Sequence, residues 1–271
     1  MQKVQINQYS SFIELAEENT CNTVYPSSVA GGFQPGDIFT DSLEEPKVAL
    51  FWHQSGFAYL SGNPDEAFLN EIYDLMLNKA GNNPRRFVLE LKDESVAAFF
   101  REKETLSEEP RYRFRLREDY ESVWESAMKE STMKESGVQE STIPDGFVLK
   151  EIDAEILPRI SGKIVPASFW SSPEEFLKNG KGYCLLKEDE VAAVAFSAAV
   201  SHKQIDIGIE TSEKYRRQGL AAVVAKEMVR YATGIGKEPV WDCNKANEGS
   251  RKTAEKTGFQ IVAEHSYFCK Q

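Results

Sequence analysis

Residues 204–221 read QIDIGIETSEKYRRQGLA, an alternating run followed by an arginine-containing turn. Ile205, Ile207 and Ile209 alternate with small or polar residues, which predicts a strand with one apolar face. The residues that follow the turn have the apolar spacing of a helix. The segment is therefore predicted to fold as strand, turn and helix, and the second face of the strand carries Asp206, Gly208 and Glu210.

The turn at residues 216–221 has the features of an anion site. A helix start leaves backbone N–H groups unpaired and carries the positive end of the helix dipole. Gly219 allows the backbone to approach a phosphate closely, and Arg216 and Arg217 add positive charge. On these residues alone, an ordinary cationic helix start fits equally well.

The composition is that of a globular protein, with 271 residues and 41% hydrophobic residues. Residues 1–144 hold 14 Lys+Arg against 25 Asp+Glu, whereas residues 145–271 hold 18 of each, so the whole charge of −11 lies in the first segment. Such a chain is a poor partner for nucleic acid or an anionic membrane. No stretch approaches the roughly 20 apolar residues of a membrane span. We expect a cytoplasmic protein whose acidic surface serves solubility or attracts a cationic amine.

Three segments are predicted along the chain. Residues 1–118 have the pattern of a mixed α/β domain, and residues 119–144 form a polar linker, helical in its first half, with a near-repeat at residues 128–136. The N-terminal domain is open to three interpretations: a divergent second copy of the C-terminal fold, a source of acceptor contacts, or the surface of a homodimer. Four arginines alternate on one predicted strand and are interpreted as solvated or paired with acids, namely Arg111, Arg113, Arg115 and Arg117.

Residues 145–271 have the predicted order β-α-α-β-β-β-α-β-α-β. The first predicted helix passes through Ile156, Leu157 and Ile160, and Asn247 is placed to cap the last helix. The four cysteines lack the spacing of a metal site or of a disulfide framework. We expect reduced, packed cysteines and no metal.

The motif Arg216-x-x-Gly219-x-Ala221 resembles the pyrophosphate loop of the GNAT superfamily of N-acetyltransferases. Asn247-x-x-Ser250 and residues 256–259 lie at the spacing of that superfamily, and the resemblance covers about half the chain. Residues 205–211 with residues 241–243 are similar to a small bacterial group that includes the zwittermicin A resistance acetyltransferase. The resemblance implies an α+β protein: a C-terminal GNAT fold, with a mixed, mostly antiparallel central sheet flanked by helices, after a smaller mixed α/β domain.

The resemblance also implies a site for acetyl-CoA. Main-chain groups of Ile209 and Thr211 would pair with the pantetheine arm, and Asn247 and Ser250 would contact the cofactor where two strands diverge. Asn247 also suits a purely structural role as a helix cap. Main-chain N–H groups would hold the pyrophosphate at Arg216, Arg217, Gln218, Gly219, Leu220 and Ala221.

The implied reaction is direct attack by the primary amine of a small molecule on the thioester. Asp206 is the first candidate for the general base and Glu210 the second, while both also fit ordinary polar residues on a sheet face. Many members carry a tyrosine seven residues after the asparagine, but Ala254 stands there, which leaves Tyr215, Tyr267 or water to protonate the thiolate.

Two other functions stay open from the sequence. A catalytically degenerate CoA-binding sensor or scaffold is consistent with Ala254. A phosphate- or nucleotide-binding protein would use the same helix start but leaves Asn247 and the strand pattern unexplained. The sequence does not specify the acceptor.

Overall fold

The computed structural model describes residues 1–81, 85–132 and 143–271. Part of the predicted near-repeat, residues 133–136, lies outside the described residues. The first part of the chain contains β1 Gln2–Lys3, α1 Ile13–Glu17, α2 Val24–Ala30, β2 Gly36–Thr40, β3 Val48–His53, β4 Phe57–Gly62, α3 Glu66–Met76, β5 Val88–Leu91, α4 Glu94–Arg101, β6 Leu106–Leu116 and α5 Tyr120–Thr132. The second part contains β7 Val148–Glu151, α6 Pro173–Asn179, β8 Gly182–Lys187, β9 Glu190–Val200, β10 Gln204–Thr211, α7 Leu220–Gly234, β11 Glu238–Asn244, α8 Glu248–Lys256 and β12 Phe259–Lys270.

The strands form one sheet in the order β1-β2-β3-β4-β5-β12-β6-β11-β10-β9-β8-β7. Antiparallel pairs dominate, and the two parallel pairs among the described residues are β4 with β5 and β10 with β11. The predicted α+β class with a mixed, mostly antiparallel sheet is confirmed.

The sheet order shows an internal duplication. From one end, strands β1 to β4 are followed by β5, which is parallel to β4, and then by β12 of the other half. From the other end, strands β7 to β10 are followed by β11, which is parallel to β10, and then by β6 of the other half. Each half also places a helix between its parallel strands, α3 in the first and α7 in the second. The N-terminal half thus repeats the topology of the C-terminal half, which is the first of the three interpretations open from the sequence.

The two halves exchange their last strands. β6 lies between β11 and β12, where Phe114 is opposite Trp241 and Arg113 is opposite Asp242. The long β12 in turn reaches β5, where Ser266 is opposite Leu91. Each half of the sheet is therefore completed by a strand of the other half, and the boundaries at residues 118 and 144 stay a prediction.

Helix α5 covers the first half of the predicted linker, as expected. Trp124 is buried, and the cations of Lys226 and Arg230 on α7 lie over its ring, each 5.2 Å from the ring centroid. This part of residues 119–144 therefore packs against the C-terminal half of the fold.

The helix predicted through residues 156–160 is shorter than expected. A 3₁₀ turn spans Leu157–Arg159, and the Asp153 carboxylate accepts the N–H groups of Glu155 and Ile156 before it. Pro158 lacks the N–H that an α-helix needs at this position, so the turn does not continue.

Candidate active site

Strands β10 and β11 pair at one end and diverge at the other. Residues 204–206 lie opposite residues 238–240, and the pairing stops at Asp206 and Val240 although both strands continue. A bulge lies at the same point, because Asp206 is opposite Ala199 while Ile207 is opposite Ser197. The result is a gap in the sheet beyond Asp206.

One edge of β10 faces this gap. The Ser212 N–H donates to the Ala192 carbonyl of β9. In an antiparallel ladder, the main-chain N–H and C=O groups of alternate residues point to the same neighbouring strand. The main-chain groups of Glu210 therefore also point to β9, whereas those of Ile209 and Thr211 point into the gap. The two residues predicted to pair with an extended ligand are thus on the open edge.

The gap leads to the turn before α7. Arg217 has φ +64° and Gly219 has φ +80°, so two residues of this short turn are left-handed. Within the described residues, the N–H groups of Arg217, Gln218 and Gly219 make no hydrogen bond, and α7 has no side-chain cap. Successive N–H groups in such a turn form a concave anion site at the positive end of a helix. This donor set fits a pyrophosphate.

The charged side chains of the turn are exposed. Arg216 lies 3.9 Å from the Glu210 carboxylate and Lys214 pairs with Glu190. Leu220 is buried beneath the turn and anchors the start of α7, while Ala221 is half-buried. The predicted set of residues 216–221 therefore combines exposed cations and N–H groups with one apolar anchor.

Asp206 lies at the closed end of the gap with only 8% of its surface exposed. The Tyr25 hydroxyl donates to its Oδ2 at 2.8 Å, and its Oδ1 has no partner among the described residues. Burial, followed by the neighbouring Asp242 carboxylate, raises the pKa of Asp206 to about 7, and the Tyr25 hydrogen bond opposes that rise. A carboxyl with this pKa can exchange a proton near neutral pH.

A buried ionic cluster adjoins Asp206. The Asp242 Oδ2 accepts the Asn22 amide at 2.9 Å, and burial raises the pKa of Asp242. Glu90 lies 2.9 Å from His265 Nε2 and 3.2 Å from Arg111 Nε. Although burial alone would raise the pKa of Glu90, Arg111 and His265 hold it below its usual range. The cluster therefore keeps Glu90 ionised next to the cation of Arg111.

Glu210 binds the loop that leads to the 3₁₀ turn at Pro166–Ser168. Its Oε2 accepts the N–H groups of Lys163 and Ile164 at 3.0 and 2.9 Å. The carboxylate is on the same side of the sheet as Asp206, so the predicted second base also fixes a loop on that side.

Asn247 and Ser250 both make structural contacts. Asn247 Oδ1 caps α8 by accepting the Ser250 N–H at 3.0 Å, and Ser250 Oγ accepts the Trp241 indole N–H at 3.0 Å. The structural role that the sequence allowed for Asn247 is thus present, and its side chain is exposed at the end of β11.

The hydroxyl groups of the two tyrosines named from the sequence both donate to carboxylates. Tyr215 donates to Glu190 at 2.7 Å and Tyr267 donates to Glu109 at 2.8 Å, while Ala254 is fully buried. The cysteines are free of disulfides, and burial raises the pKa of the Cys243 thiol, which disfavours a thiolate nucleophile.

Tyr25 and Asn22 carry no sequence motif, and sequence reasoning missed them. Both come from the N-terminal half and lie about 180 and 220 residues from the carboxylates that they contact. Glu90 had a local signal, because a charged residue between Leu89 and Leu91 interrupts an apolar strand.

The comparisons with known proteins give the class of this protein. A model of the family described as GNAT acetyltransferase matches residues 14–268, so the chain belongs to that family. The match includes both halves, whereas the sequence resemblance covered only about half the chain. The protein is an N-acetyltransferase of the GNAT type, and enzymes of this family use acetyl-CoA.

Relatives and solved structures resemble this chain over nearly its whole length. The uncharacterized N-acetyltransferase YdfB of Bacillus subtilis (strain 168) is 24% identical over 99% of this chain and 98% of its own. A GCN5-related N-acetyltransferase-like protein from Streptococcus suis has a TM-score of 0.74 at 20% identity, with 98% and 100% coverage. A tandem GNAT protein of the clavulanic acid biosynthesis pathway has a TM-score of 0.58 at 11% identity, with 98% and 94% coverage. These two structures share the fold.

No helix of the described residues has the length and apolar character needed to cross a membrane.

Proposed function

We propose that the protein transfers an acetyl group from acetyl-CoA to the primary amine of a small molecule by direct attack. The observation that carries the proposal is the combination of the gap between β10 and β11 with the uncapped start of α7, which follows β10 in the chain. When bound, acetyl-CoA supplies the activated acetyl thioester. The chain's own residues bind it, orient the amine and move protons.

Three sets of residues would hold the cofactor. The turn at residues 216–221 binds the pyrophosphate mainly through the N–H groups of Arg217, Gln218 and Gly219, which have no hydrogen-bond partner among the described residues. The Arg216 N–H donates to the Glu213 carbonyl instead, so Arg216 contributes its charge. Ile209 and Thr211 offer main-chain groups to the pantetheine along the open edge of β10. Asn247 and Ser250, at the start of α8 after β11, would contact the cofactor where β10 and β11 diverge.

Asp206 is proposed as the general base. An amine attacks only after it has lost the proton of its ammonium form, and a carboxylate with a pKa of about 7 can accept that proton at neutral pH. The acceptor atom is its Oδ1, which has no hydrogen-bond partner in the described part of the chain. Glu210 remains the second candidate, although its Oε2 already accepts two backbone N–H groups.

The proton that returns to the leaving thiolate is proposed to come from water. Ala254 offers no proton, and the hydroxyl groups of Tyr215 and Tyr267 donate to carboxylates. The acidic surface, with a formal charge of −11, supports a cationic amine as acceptor. The similarity to the zwittermicin A resistance group, a cytoplasmic location and a homodimer stay predictions.

Thermal unfolding with added ligands tests the cofactor. We expect acetyl-CoA at 100 times its Kd to stabilise the protein by about 2.7 kcal/mol, and ATP at the same concentration to stabilise it far less. Equal stabilisation by both would favour a general phosphate site and contradict the proposal.

Thioester consumption with a panel of primary amines then separates the enzyme from a CoA-binding sensor or scaffold, the alternative that Ala254 favours. Turnover of at least one amine supports acetyl transfer. Binding of acetyl-CoA without turnover of any amine, polyamines and amino sugars included, would favour the sensor.

A further inference from the structure

Helix α2 belongs to the N-terminal half but packs across both halves of the sheet. It contacts β3 of its own half and β9 and β10 of the other half. The residues around its start bind the C-terminal half directly: Thr23 Oγ1 donates to Gln204 Oε1 at 2.6 Å and Tyr25 donates to Asp206. The buried carboxyl of the proposed site is thus contacted by a side chain from outside its own half.

The phenol ring of Tyr25 is fixed by aromatic neighbours. It makes an edge contact with His53 of β3, with ring centroids 5.1 Å apart, and stacks on Tyr59 of β4 at 5.5 Å and 20°. Burial, and then the nearby Asp206 carboxyl, raise the pKa of the Tyr25 hydroxyl well above its usual value. The hydroxyl therefore keeps its proton and acts as a donor toward Asp206.

We infer that Tyr25 is the positioning residue for the Asp206 carboxyl, so that the N-terminal half forms part of the catalytic centre. The inference rests on the proposed function. A carboxylate has two oxygens, and a donor held at Oδ2 fixes the plane of the group and leaves Oδ1 as the acceptor. The same hydrogen bond favours the ionised form, which is the form that a general base needs.

The charges around Asp206 determine the sign of the expected pH effect. Burial and the Asp242 and Glu90 carboxylates oppose ionisation of Asp206, whereas the Tyr25 hydroxyl and the Arg111 cation favour it. Loss of the Tyr25 hydroxyl removes one of the groups that lower the pKa, so the midpoint of Asp206 must rise and the acid limb of activity must move to higher pH. The titratable and charged groups of this environment are Tyr25 on α2, Tyr59 on β4, Glu90 on β5, Arg111 and Arg113 on β6, Asp242 on β11 and His265 on β12.

The test is a carboxyl titration of the full chain that needs no acceptor. In protein labelled with ¹³C at the aspartate carboxyl groups, the Asp206 resonance is the one that Asp206→Asn removes. We expect Tyr25→Phe to raise its midpoint by about one pH unit. The matched control is Tyr9→Phe, which removes a buried hydroxyl that donates to the Gly36 carbonyl at 3.0 Å within the N-terminal half. Tyr9→Phe should leave the midpoint unchanged, and an unchanged midpoint in Tyr25→Phe would overturn the inference.

Activity gives a second readout on the same variants. With acetyl-CoA and an amine that the wild type accepts, Tyr25→Phe should lower kcat/KM about tenfold below the midpoint and recover at high pH, with the KM for acetyl-CoA unchanged. A loss that is equal at every pH would instead indicate a structural role and contradict the inference. If the wild type turns over no amine, the proposed function fails, while the carboxyl titration still decides the role of Tyr25.

Discussion

The two halves of the sheet present the same turn in two different states. In the N-terminal half, β4 leads to α3 through Gly62 and Asp65, and the Asp65 carboxylate accepts the Phe68 N–H at 2.8 Å at the start of the helix. A side chain on Gly62 would lie 1.9 Å from the Lys47 carbonyl, so this turn is packed against its neighbour. In the C-terminal half, Gly219 has open space around it and α7 has no side-chain cap.

The difference shows how one topology gives one anion site. Both helices start after a strand that diverges from its parallel neighbour. Each helix therefore presents its N-terminus, the positive end of its dipole, in the corresponding place. In the first turn the Asp65 carboxylate occupies that end. In the second turn, the N–H groups of residues 217–219 have no partner within the described ranges and stand beside exposed cations, which leaves that end for a ligand. We therefore expect one cofactor site per chain, in the C-terminal half.

The largest expected effect is on turnover, and it comes from one position that the two halves share. This position is the last of the three at which β10 pairs with β11 and β4 pairs with β5. That position is Asp206 in β10 and Tyr59 in β4. We expect Asp206→Asn to lower turnover about 100-fold or more, because the amide cannot accept the proton of the ammonium. The affinity for acetyl-CoA should stay within about twofold, since the cofactor is bound elsewhere.

Steady-state kinetics and equilibrium binding with acetyl-CoA measure the two quantities. Tyr59→Phe is the counterpart variant and should retain turnover, because Tyr59 makes no hydrogen bond to Asp206. Unchanged turnover in Asp206→Asn would reject Asp206 as the base and make Glu210 the next residue to test.

The second expected effect comes from giving the C-terminal turn the charge of the N-terminal one. Gly219→Asp places a carboxylate at the start of α7, where it competes with the pyrophosphate for the N–H groups. We expect the affinity for acetyl-CoA to fall roughly 30-fold, or about 2 kcal/mol. Isothermal titration calorimetry measures the change.

Gly219→Asn is the control for the backbone. Gly219 has φ +80°, a conformation that asparagine and aspartate tolerate better than other side chains. The two variants share this strain and differ in charge, so Gly219→Asn should bind several-fold more tightly than Gly219→Asp. Equal affinities would mean that shape, and not charge, distinguishes the two turns.

The sequence predicted the C-terminal turn because its signals are local. Alternating isoleucines, the glycine before an apolar helix and the capping asparagine all lie within a few residues of the structure they specify, and β10, α7 and α8 formed as expected. The class of sheet followed from the resemblance. Whether the predicted residues bind acetyl-CoA is still a prediction.

The exchange of β6 and β12 could not be predicted, because an alternating strand does not identify its neighbours. Arg113 illustrates the point: the sequence places it on one face with three other arginines, and the fold puts it opposite Asp242 of the other half. The contact between Tyr25 and Asp206 joins residues 181 positions apart, and no sequence motif in or beside α2 predicts it.

The smallest expected effect tests whether removal of a cap alone creates an anion site. Asp65→Ala opens the start of α3 and should lower the free energy of unfolding by about 1 kcal/mol, measured by urea denaturation. Ser172→Ala, which removes the cap that accepts the Glu175 N–H in α6, should cost a similar amount.

Calorimetry on Asp65→Ala should still give one acetyl-CoA per chain with unchanged affinity, because Gly62 is packed against Lys47 and Glu66 keeps a negative charge in the first turn. A second equivalent of bound acetyl-CoA would show that Asp65 alone had closed the N-terminal site.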